Sequence, residues 1–243
     1  MMQQSVQDNF SVIIPTFHEA SNIPKLIERF ASISFNVAAF EIIIVDDDSG
    51  DGILDIVSTL QQKFNWLKII VRRGEKSLSQ AVIHGFALAS YPIIIVMDAD
   101  LSHPPEKIPD MLRLLENNDV DMIIGSRYVT GGSVDNVWPI TRKIASKGAA
   151  MLARLVIGKN IRDPLSGFIA IRKNTILNGS PLTPIGWKIS LEMMIKCHCR
   201  SIKEIPIHFV ERRRGISKMN FRVFIHYLLH IKRLAFYKIF LQK

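Results

Sequence analysis

The sequence predicts an α/β fold in which helices flank a mostly parallel, Rossmann-like sheet. Short runs rich in Ile and Val alternate along the chain with stretches whose apolar residues recur at helical spacing, as in successive βαβ units. The chain has 243 residues, of which 48% are hydrophobic and 22% charged, a composition typical of a folded globular protein. We expect one α/β domain over residues 1–216, followed by a C-terminal amphipathic helix over residues 217–243.

The first half of the chain alternates strands with helices. The strands are predicted at residues 11–14, 41–45, 67–71, 93–97 and 122–125, and the helices at residues 23–33, 53–63, 78–89 and 105–116. Pro24 and Pro105 fall in first helical turns, where the missing N–H of proline costs no hydrogen bond. The Gly-x-Gly-x-x-Gly fingerprint of dinucleotide-binding folds does not follow the first strand, so an NAD enzyme is disfavoured.

The second half begins with residues 128–139, which are rich in Gly, Ser, Asp and Asn and predict a loop beside the carboxyl edge of the sheet. A helix at 141–156, a strand at 168–172, a helix at 188–198 and a last strand at 202–210 are predicted to follow. Cys197 and Cys199 are too close for an ordinary disulfide and are interpreted as reduced thiols. Residues 1–9 are polar and no run approaches ~20 apolar residues, so we expect neither a secretion signal nor a membrane span.

The C-terminal segment carries most of the net charge of +9, because residues 211–243 contain nine Lys and Arg residues against a single acid. Two kinds of residue recur there at helical spacing, apolar ones at Phe221, Phe224, Ile225 and Leu228 and basic ones at Lys218, Arg222, His226, His230 and Arg233. Such a helix fits the surface of an anionic membrane. The alternative is a helix docked on the domain with a solvated basic side. No nucleic-acid-binding motif accompanies the charge, so no nucleic acid partner is expected.

Two carboxylates, Asp98 and Asp100, follow a buried strand at the edge where α/β sheets bind their ligands. Alternate residues of an extended chain project to one side, so both can converge on one divalent cation that also holds a diphosphate. This arrangement predicts metal-assisted departure of a nucleoside diphosphate. An isolated Asp-x-Asp is also compatible with a solvated turn or a helix cap, so the interpretation depends on the other strand ends.

The loops after the first two strands add acids and turn residues at the same edge. Residues 15–19 read Pro-Thr-Phe-His-Glu, and residues 46–52 read Asp-Asp-Asp-Ser-Gly-Asp-Gly. An edge this acidic repels a diphosphate unless a metal or basic residues bridge the charges. Arg127 and the basic run at residues 212–218 are available for that purpose. Within the acidic loop, Asp46 and Asp48 are interpreted as turn-forming and capping residues.

Six segments of known type occur in matching order between about residue 11 and residue 218, at residues 15–19, 45–52, 97–105, 125–128, 163–168 and 211–218. In these segments the sequence resembles the family 2 inverting glycosyltransferases of the GT-A fold. Within that family it is most similar to the dolichyl-phosphate and polyprenyl-phosphate mannosyltransferases. The ordered combination is far more specific than any one segment.

The resemblance implies roles for individual residues. It places the nucleoside against Pro15, Phe17 and Glu19, with the base or ribose held by Val45 and Asp47. It places the diphosphate against Asp98, Ala99 and Asp100, with Mg²⁺ or Mn²⁺ on Asp98, Asp100 and Ser102. It assigns phosphate oxygens of the donor or acceptor to Arg127, Arg212 and Lys218. The groups expected to act on the reacting bond are Asp98, Asp100 and Arg127.

Several positions depart from the family pattern or carry no assigned role. Phe17-His18 stands where Tyr-Asn is common, and Ser77-Leu78-Ser79 where Gly-Leu-Gly is common, so the nucleoside side of the site is altered. His103 is interpreted as structural. Glu192 either faces the sugar or is an ordinary helix acid.

The function predicted from the resemblance is transfer of a hexose, mannose from GDP-mannose, with inversion to a polyprenyl or dolichyl phosphate. The alternatives are transfer to a glycan hydroxyl in surface polysaccharide synthesis, and a non-catalytic nucleotide-sugar-binding module. A phosphate acceptor is already ionised near neutral pH and needs no general base, whereas a hydroxyl does. We expect a cytoplasmic protein at the cytoplasmic face of a membrane, attached peripherally or through a separate membrane-anchoring subunit.

Overall fold

The computed structural model describes residues 8–135, 140–158, 160–210 and 221–241. The strands are β1 (Phe10–Thr16), β2 (Phe40–Asp46), β3 (Leu67–Val71), β4 (Ile93–Val96), β5 (Met122–Ser126), β6 (Ser133–Val134), β7 (Ile169–Arg172), β8 (Ile202–Pro206) and β9 (His208–Phe209). The helices are α1 (Ile23–Ala31), α2 (Ile53–Gln61), α3 (Leu78–Leu88), α4 (Ile108–Leu115), α5 (Ile140–Ile157), α6 (Lys173–Leu177), α7 (Ile189–Lys196) and α8 (Phe221–Phe240). A 3₁₀ turn at Pro105–Lys107 leads into α4.

The main sheet has seven strands in the order β3-β2-β1-β4-β7-β5-β8. Strand β7 runs antiparallel to both of its neighbours, and the other six strands share one direction. The carboxyl ends of β1, β2, β4 and β5 therefore reach the same edge. The predicted mostly parallel α/β sheet is confirmed.

The strands are long apolar runs because both faces of the sheet are covered. In β1, Val12 and Ile14 pack into the core beneath α1, α2 and α4, whereas Ile13 points to the opposite core. That second core contains residues of α3, α5, α7 and α8. The alternation follows from the two-residue period of a strand, and it produces three layers, helix, sheet and helix.

Two short elements correct the sequence analysis. The predicted strand at 202–210 is two strands, β8 and β9, and the predicted loop at 128–139 contains β6. Strands β6 and β9 pair in parallel, outside the main sheet. A two-residue strand carries no periodic pattern, so only its pairing reveals it. Helix α6 was also not predicted. Residues 136–139 of the predicted loop lie outside the described residues.

Helix α8 packs on α5 and α7, and residues 217–220 of the predicted helix lie outside the described residues. Its packed side includes Tyr227, His230, Ile231 and Leu234, and the Tyr227 hydroxyl donates to the Ala149 carbonyl at 2.6 Å. The expectation that His230 belongs to a solvated basic side was wrong, because this ring is fully buried.

The part of the predicted apolar side of the C-terminal helix whose side chains the structure describes does not face the domain. Ile225 and Leu228, two members of that side, are exposed. The packed side is instead rotated around the helix, since Tyr227, directly before Leu228, and Ile231, three residues after it, are buried. Among the helices that the structure describes, none is long and apolar enough to cross a membrane.

Glu192 of α7 anchors this packing. It is fully buried, its Oε1 lies 2.5 Å from Lys196 Nζ and accepts from the Thr183 amide at 2.8 Å, and its Oε2 lies 3.3 Å from His230 Nε2. Burial by itself would raise the pKa of Glu192, but His230, Lys196 and the Thr183 amide lower it to about 2. Of the two interpretations offered for Glu192, the structure shows the structural one: a helix acid that joins α7 to α8.

We expect Glu192→Gln to lower the free energy of unfolding by about 3 kcal/mol at neutral pH, because it leaves the buried Lys196 without its counter-charge. The carboxylate has a lower pKa folded, about 2, than unfolded, 4.5, so its contribution is complete above pH 4.5 and is lost as the pH falls towards 2. Urea denaturation at several pH values should show the wild type and the variant converging over that interval.

The matched control is Glu106→Gln, which alters an exposed pair with Arg29 and should cost less than about 1 kcal/mol. Equal stability of the Glu192 variant and the wild type at pH 7 would show that the buried cluster does not hold α8.

Candidate active site

The loops that follow β1, β2, β4 and β5 meet at the carboxyl edge of the sheet, and each carries residues that the sequence analysis selected. The pairing registers bring them together, since Pro15 lies opposite Val45 and Thr16 opposite Asp46. Strand β4 pairs with β1 up to the Ile13 and Val96 positions, so its following turn starts beside the end of β1.

The turn after β4 presents the two predicted metal ligands. Asp100 is buried, and its Oδ1 accepts hydrogen bonds from the Ser102 amide at 3.0 Å and the Ser102 hydroxyl at 2.5 Å. Between them Leu101 adopts φ = +65°, a left-handed conformation that is strained for a residue with a large side chain. The Asp98 side chain is 27% exposed. The turn is therefore a strained, hydrogen-bonded loop that leaves one carboxylate open to solvent.

His103 closes the turn from the other side. Its Nδ1 accepts the backbone N–H of Asp98 at 3.1 Å, so this nitrogen is unprotonated and the ring is neutral with its proton on Nε2. Burial lowers the pKa of His103, although the carboxylates of Asp98 and Asp100 oppose the shift. The interpretation of His103 as a structural residue agrees with this backbone contact.

The donor set of the turn fits a hard divalent cation. Carboxylate and hydroxyl oxygens of Asp98, Asp100 and Ser102 are the ligand types that Mg²⁺ and Mn²⁺ prefer. In the part of the chain that the structure describes, no three His, Cys, Asp or Glu side chains converge as a self-sufficient metal site. Two carboxylates fit a cation that shares its coordination with a bound phosphate.

The predicted nucleoside side is built from the ends of β1 and β2. Pro15 and Val45 are buried strand residues, whereas Phe17 is half-buried in the loop and has Lys76 Nζ at 4.4 Å from its ring centre. Glu19 accepts from the Asn22 side-chain amide at 2.6 Å at the start of α1. Phe17 thus offers a flat apolar surface beside a cation.

Asp47 is held by Arg72, which the sequence did not single out, and by Ser77, which it marked only as a departure from the family pattern. Its Oδ1 accepts from Arg72 Nε at 2.7 Å, and its Oδ2 accepts from the Ser77 amide at 2.6 Å. Its predicted contact with base or ribose remains a prediction. Ser77 replaces a glycine common in the family, but its φ of −156° is an extended conformation that any residue adopts. The only sequence signal for Arg72 was its position directly after a strand.

Asp46 forms the turn that the sequence analysis assigned to it. The carboxylate is buried and accepts from the Thr16 hydroxyl at 2.9 Å and the Ser49 amide at 2.8 Å. Asp48, by contrast, is exposed at φ = +51°, a conformation that Asp tolerates better than most residues. Asp46 therefore joins the ends of β1 and β2.

Arg127 is engaged by a partner that had no predicted role. Its Nε and Nη2 each lie 2.7 Å from a carboxylate oxygen of Asp163, and its backbone N–H donates to the same group at 3.0 Å. Burial opposes ionisation, but the Asp163 carboxylate outweighs it and holds the pKa of Arg127 above its ordinary value. The structure places Arg127 at the carboxyl edge of the sheet, in a two-bond ion pair with Asp163. Its contact with phosphate remains a prediction, and Arg212 and Lys218 lie outside the described residues.

The β6 and β9 pair links two loops at the Arg127 end of the site. His208 Nδ1 lies 2.7 Å from the Ser133 hydroxyl, and His208 Nε2 lies 3.1 Å from Asp135 Oδ1. The segment that follows Arg127 is thereby tied to the strand that precedes residues 211–220.

The fold and the site define a GT-A glycosyltransferase. Residues 11–177 match the model of the family described as Glycosyl transferase family 2. The chain belongs to glycosyl transferase family 2.

Its relatives include three proteins named dolichol-phosphate mannosyltransferase. The chain is 45% identical to the one from Pyrococcus furiosus over 226 residues, which cover 92% of this chain and 63% of that protein. It is 40% identical to the one from Mycosarcoma maydis, covering 92% of this chain and 78% of that protein. It is 38% identical to the one from Saccharomyces cerevisiae, covering 94% and 88%. The chain thus spans less than two thirds of the length of the Pyrococcus protein.

Solved structures agree in fold. Glucosyl-3-phosphoglycerate synthase from Mycobacterium tuberculosis, solved with Mn²⁺, UDP-glucose and phosphoglyceric acid, superposes with a TM-score of 0.68 at 16% identity, covering 95% of this chain and 79% of that chain. A mannosyltransferase from Pyrobaculum calidifontis, solved with GDP-mannose and Mn²⁺, gives a TM-score of 0.63 at 14% identity, covering 95% and 64%. At these identities the likeness shows the GT-A fold.

We expect Asp163→Asn to lower the free energy of unfolding by about 3 kcal/mol, since it removes the counter-charge of the buried Arg127 guanidinium. The matched substitution Asp110→Asn, in an exposed pair on α4, should cost less than about 0.5 kcal/mol. Denaturant titration of both variants makes the comparison. Similar small losses of unfolding free energy in the two variants would mean that the ion pair of Arg127 with Asp163 contributes no more than a surface pair.

Proposed function

We propose that this protein transfers mannose from GDP-mannose, with inversion, to a dolichyl or other polyprenyl phosphate. The observation that carries the proposal is the Asp98 to Ser102 turn, which stands at the carboxyl edge of a chain 38–45% identical to three dolichol-phosphate mannosyltransferases over at least 92% of its length. A hard-cation donor set at this place suits a reaction in which a nucleoside diphosphate departs.

In this proposal the carboxyl edge of the sheet stabilises the leaving group, the nucleoside diphosphate. Asp98, Asp100 and Ser102 would hold Mg²⁺ or Mn²⁺, which when bound neutralises the charge that develops on the departing diphosphate. Asp98, Ala99 and Asp100 border the same diphosphate in this proposal. Their turn is held in place by internal hydrogen bonds before any ligand arrives, so little reorganisation is required.

The nucleoside would occupy the side formed by Pro15, Phe17, Glu19, Val45 and Asp47. The half-buried Phe17 ring can pack against a base or ribose face, and the carboxylates of Glu19 and Asp47 can accept from base or sugar donors. Orientation of the donor in this way sets the anomeric carbon against the acceptor.

An acceptor phosphate fits the basic residues assigned to the other end of the edge. We assign Arg127, Arg212 and Lys218 to phosphate oxygens of donor or acceptor, because guanidinium and ammonium groups bind phosphate strongly. A phosphate oxygen attacks as an anion, so the protein has no proton to remove. His103 agrees with this scheme, since its Nδ1 is engaged with a backbone amide rather than aimed at a substrate.

A polyprenyl phosphate stays in the bilayer, so the protein must meet a membrane surface. Two helices expose apolar side chains at helical spacing, Ile144, Met151 and Leu155 on α5 and Leu229, Phe236 and Phe240 on α8. Exposed Lys147 and Lys232 flank them. We assign these apolar stripes to peripheral contact with the cytoplasmic leaflet, with cover by a separate membrane-anchoring subunit as the alternative.

Incubation with radiolabelled GDP-mannose, dolichyl phosphate and Mn²⁺ should yield a lipid-extractable mannose that is stable to alkali and labile to acid. Asp100→Asn should lower the turnover by about 10²-fold or more, because one of the two carboxylates proposed to hold the metal at the departing diphosphate is lost. The control Asp110→Asn, on the exposed side of α4, should leave it unchanged.

The alternatives give different results in the same assay. When a cell-surface glycan fraction is added to the incubation, a water-soluble mannosylated glycan in place of the lipid product would show that the acceptor is a hydroxyl and not a lipid phosphate. Donor binding without any product, under conditions where the protein is folded, would indicate a non-catalytic nucleotide-sugar-binding module.

Leu155→Asp should weaken binding to anionic phospholipid vesicles about tenfold, since it removes one exposed apolar side chain and adds a charge repelled by the lipid. Cosedimentation with the vesicles measures the bound fraction of each protein. Leu54→Asp is the control, because Leu54 is an exposed leucine of α2, on the opposite face of the sheet. If the wild-type protein does not bind vesicles, the membrane contact is contradicted, and cover of the apolar stripes by a protein subunit is favoured instead.

A further inference from the structure

Backbone hydrogen bonds to the sheet fix the chain as far as Met97, and the following residues are held by other contacts. The Met97 amide donates to the Ile13 carbonyl at 3.2 Å, the last backbone hydrogen bond between this segment and β1. The next amide, that of Asp98, donates instead to His103 Nδ1 at 3.1 Å. A histidine five residues ahead therefore sets the direction of the peptide from which the Asp98 side chain departs.

The ring that accepts this hydrogen bond cannot easily move. His103 is 2% exposed, stacks on Phe168 with centroids 5.3 Å apart at 16°, and meets Phe209 edge-on at 5.6 Å. Phe168 is itself fully buried, and a Cβ added at Gly125 would lie only 2.6 Å from its ring. The ring position thus comes from the core and not from the loop.

The loop itself needs such support. Leu101 has φ = +65°, and a residue with a side chain holds this conformation only where surrounding contacts enforce it. The Ser102 amide and hydroxyl secure the Asp100 half of the turn. The His103 ring is the corresponding support for the Asp98 half.

The geometry points to His103 as a positioning residue that aims the Asp98 carboxylate at a divalent cation bound with a nucleoside diphosphate. The inference rests on the proposed function and assigns a role that is not coordination, because Nδ1 lies 4.0 Å from Asp98 Oδ2 and accepts the backbone instead. Without this acceptor the Asp98 peptide can rotate towards water and carry its carboxylate away from Asp100. Loss of a partner that orients a metal ligand typically costs 10–100-fold in metal affinity.

Two substitutions separate the acceptor from the ring. His103→Phe retains an aromatic ring against Phe168 and removes the acceptor. His103→Asn loses the ring, but its amide oxygen can take the place of Nδ1. Mn²⁺ binding in the presence of GDP is measured from the electron paramagnetic resonance signal of free Mn²⁺, and thermal unfolding is recorded for each protein at the same pH.

We expect opposite rankings in the two measurements. His103→Phe should melt closer to the wild type and bind Mn²⁺ with GDP about tenfold more weakly. His103→Asn should melt lower, because the buried stacking is lost, and bind Mn²⁺ within about threefold of the wild type. Circular dichroism at the binding temperature restricts the comparison to folded protein.

Other outcomes overturn the inference. If Mn²⁺ affinity follows thermal stability in both variants, or is unchanged in both, His103 is only a core residue, and the proposed function stands. If the wild-type protein binds no Mn²⁺ with GDP or with UDP, the proposed metal site is contradicted, and the proposed function is contradicted with it.

Discussion

The parallel pairing of β1 with β2 and β4 determines where the loops of the candidate active site lie. Because these strands share one direction, their carboxyl ends lie side by side, and the loops that follow Thr16, Asp46 and Val96 meet at one edge. The helices that connect these strands cover both faces of the sheet, and every residue of β1 and β4 is buried. The hydrophobic core thus gathers polar loops that are far apart along the chain.

Several carboxylates of the acidic edge have partners within the protein. Asp47 pairs with Arg72, Asp163 with Arg127, and Asp46 accepts from hydroxyl and amide donors. Asp98 differs from Asp47 and Asp163 in its exposure, 27% against 5% and 0% for those side chains. The carboxylates that stabilise the fold are therefore distinct from the one that faces solvent, where an external cation can neutralise it.

The second core joins this edge to the helices that expose apolar stripes. The buried Glu192 of α7 lies 3.3 Å from the buried His230 ring of α8, and the Tyr227 hydroxyl of α8 donates to the Ala149 carbonyl of α5. A helix fixed in this way cannot rotate to bury its outer apolar residues. Their exposure follows from the packing, and it leaves the apolar surface that we propose contacts the membrane.

Local patterns in the sequence were sufficient for the alternation of strands and helices, because a buried strand is a run of Ile and Val and its period is short. They also placed Asp98 and Asp100 at a strand end, and the resemblance correctly indicated the family. The pairing of Arg127 with Asp163 and of Arg72 with Asp47, the β6 and β9 ladder, the burial of His230 and the support of Asp98 by His103 came only from the tertiary structure. Each depends on which side chains the packed core brings within hydrogen-bonding distance or removes from water, and no propensity or period within a short window contains that information.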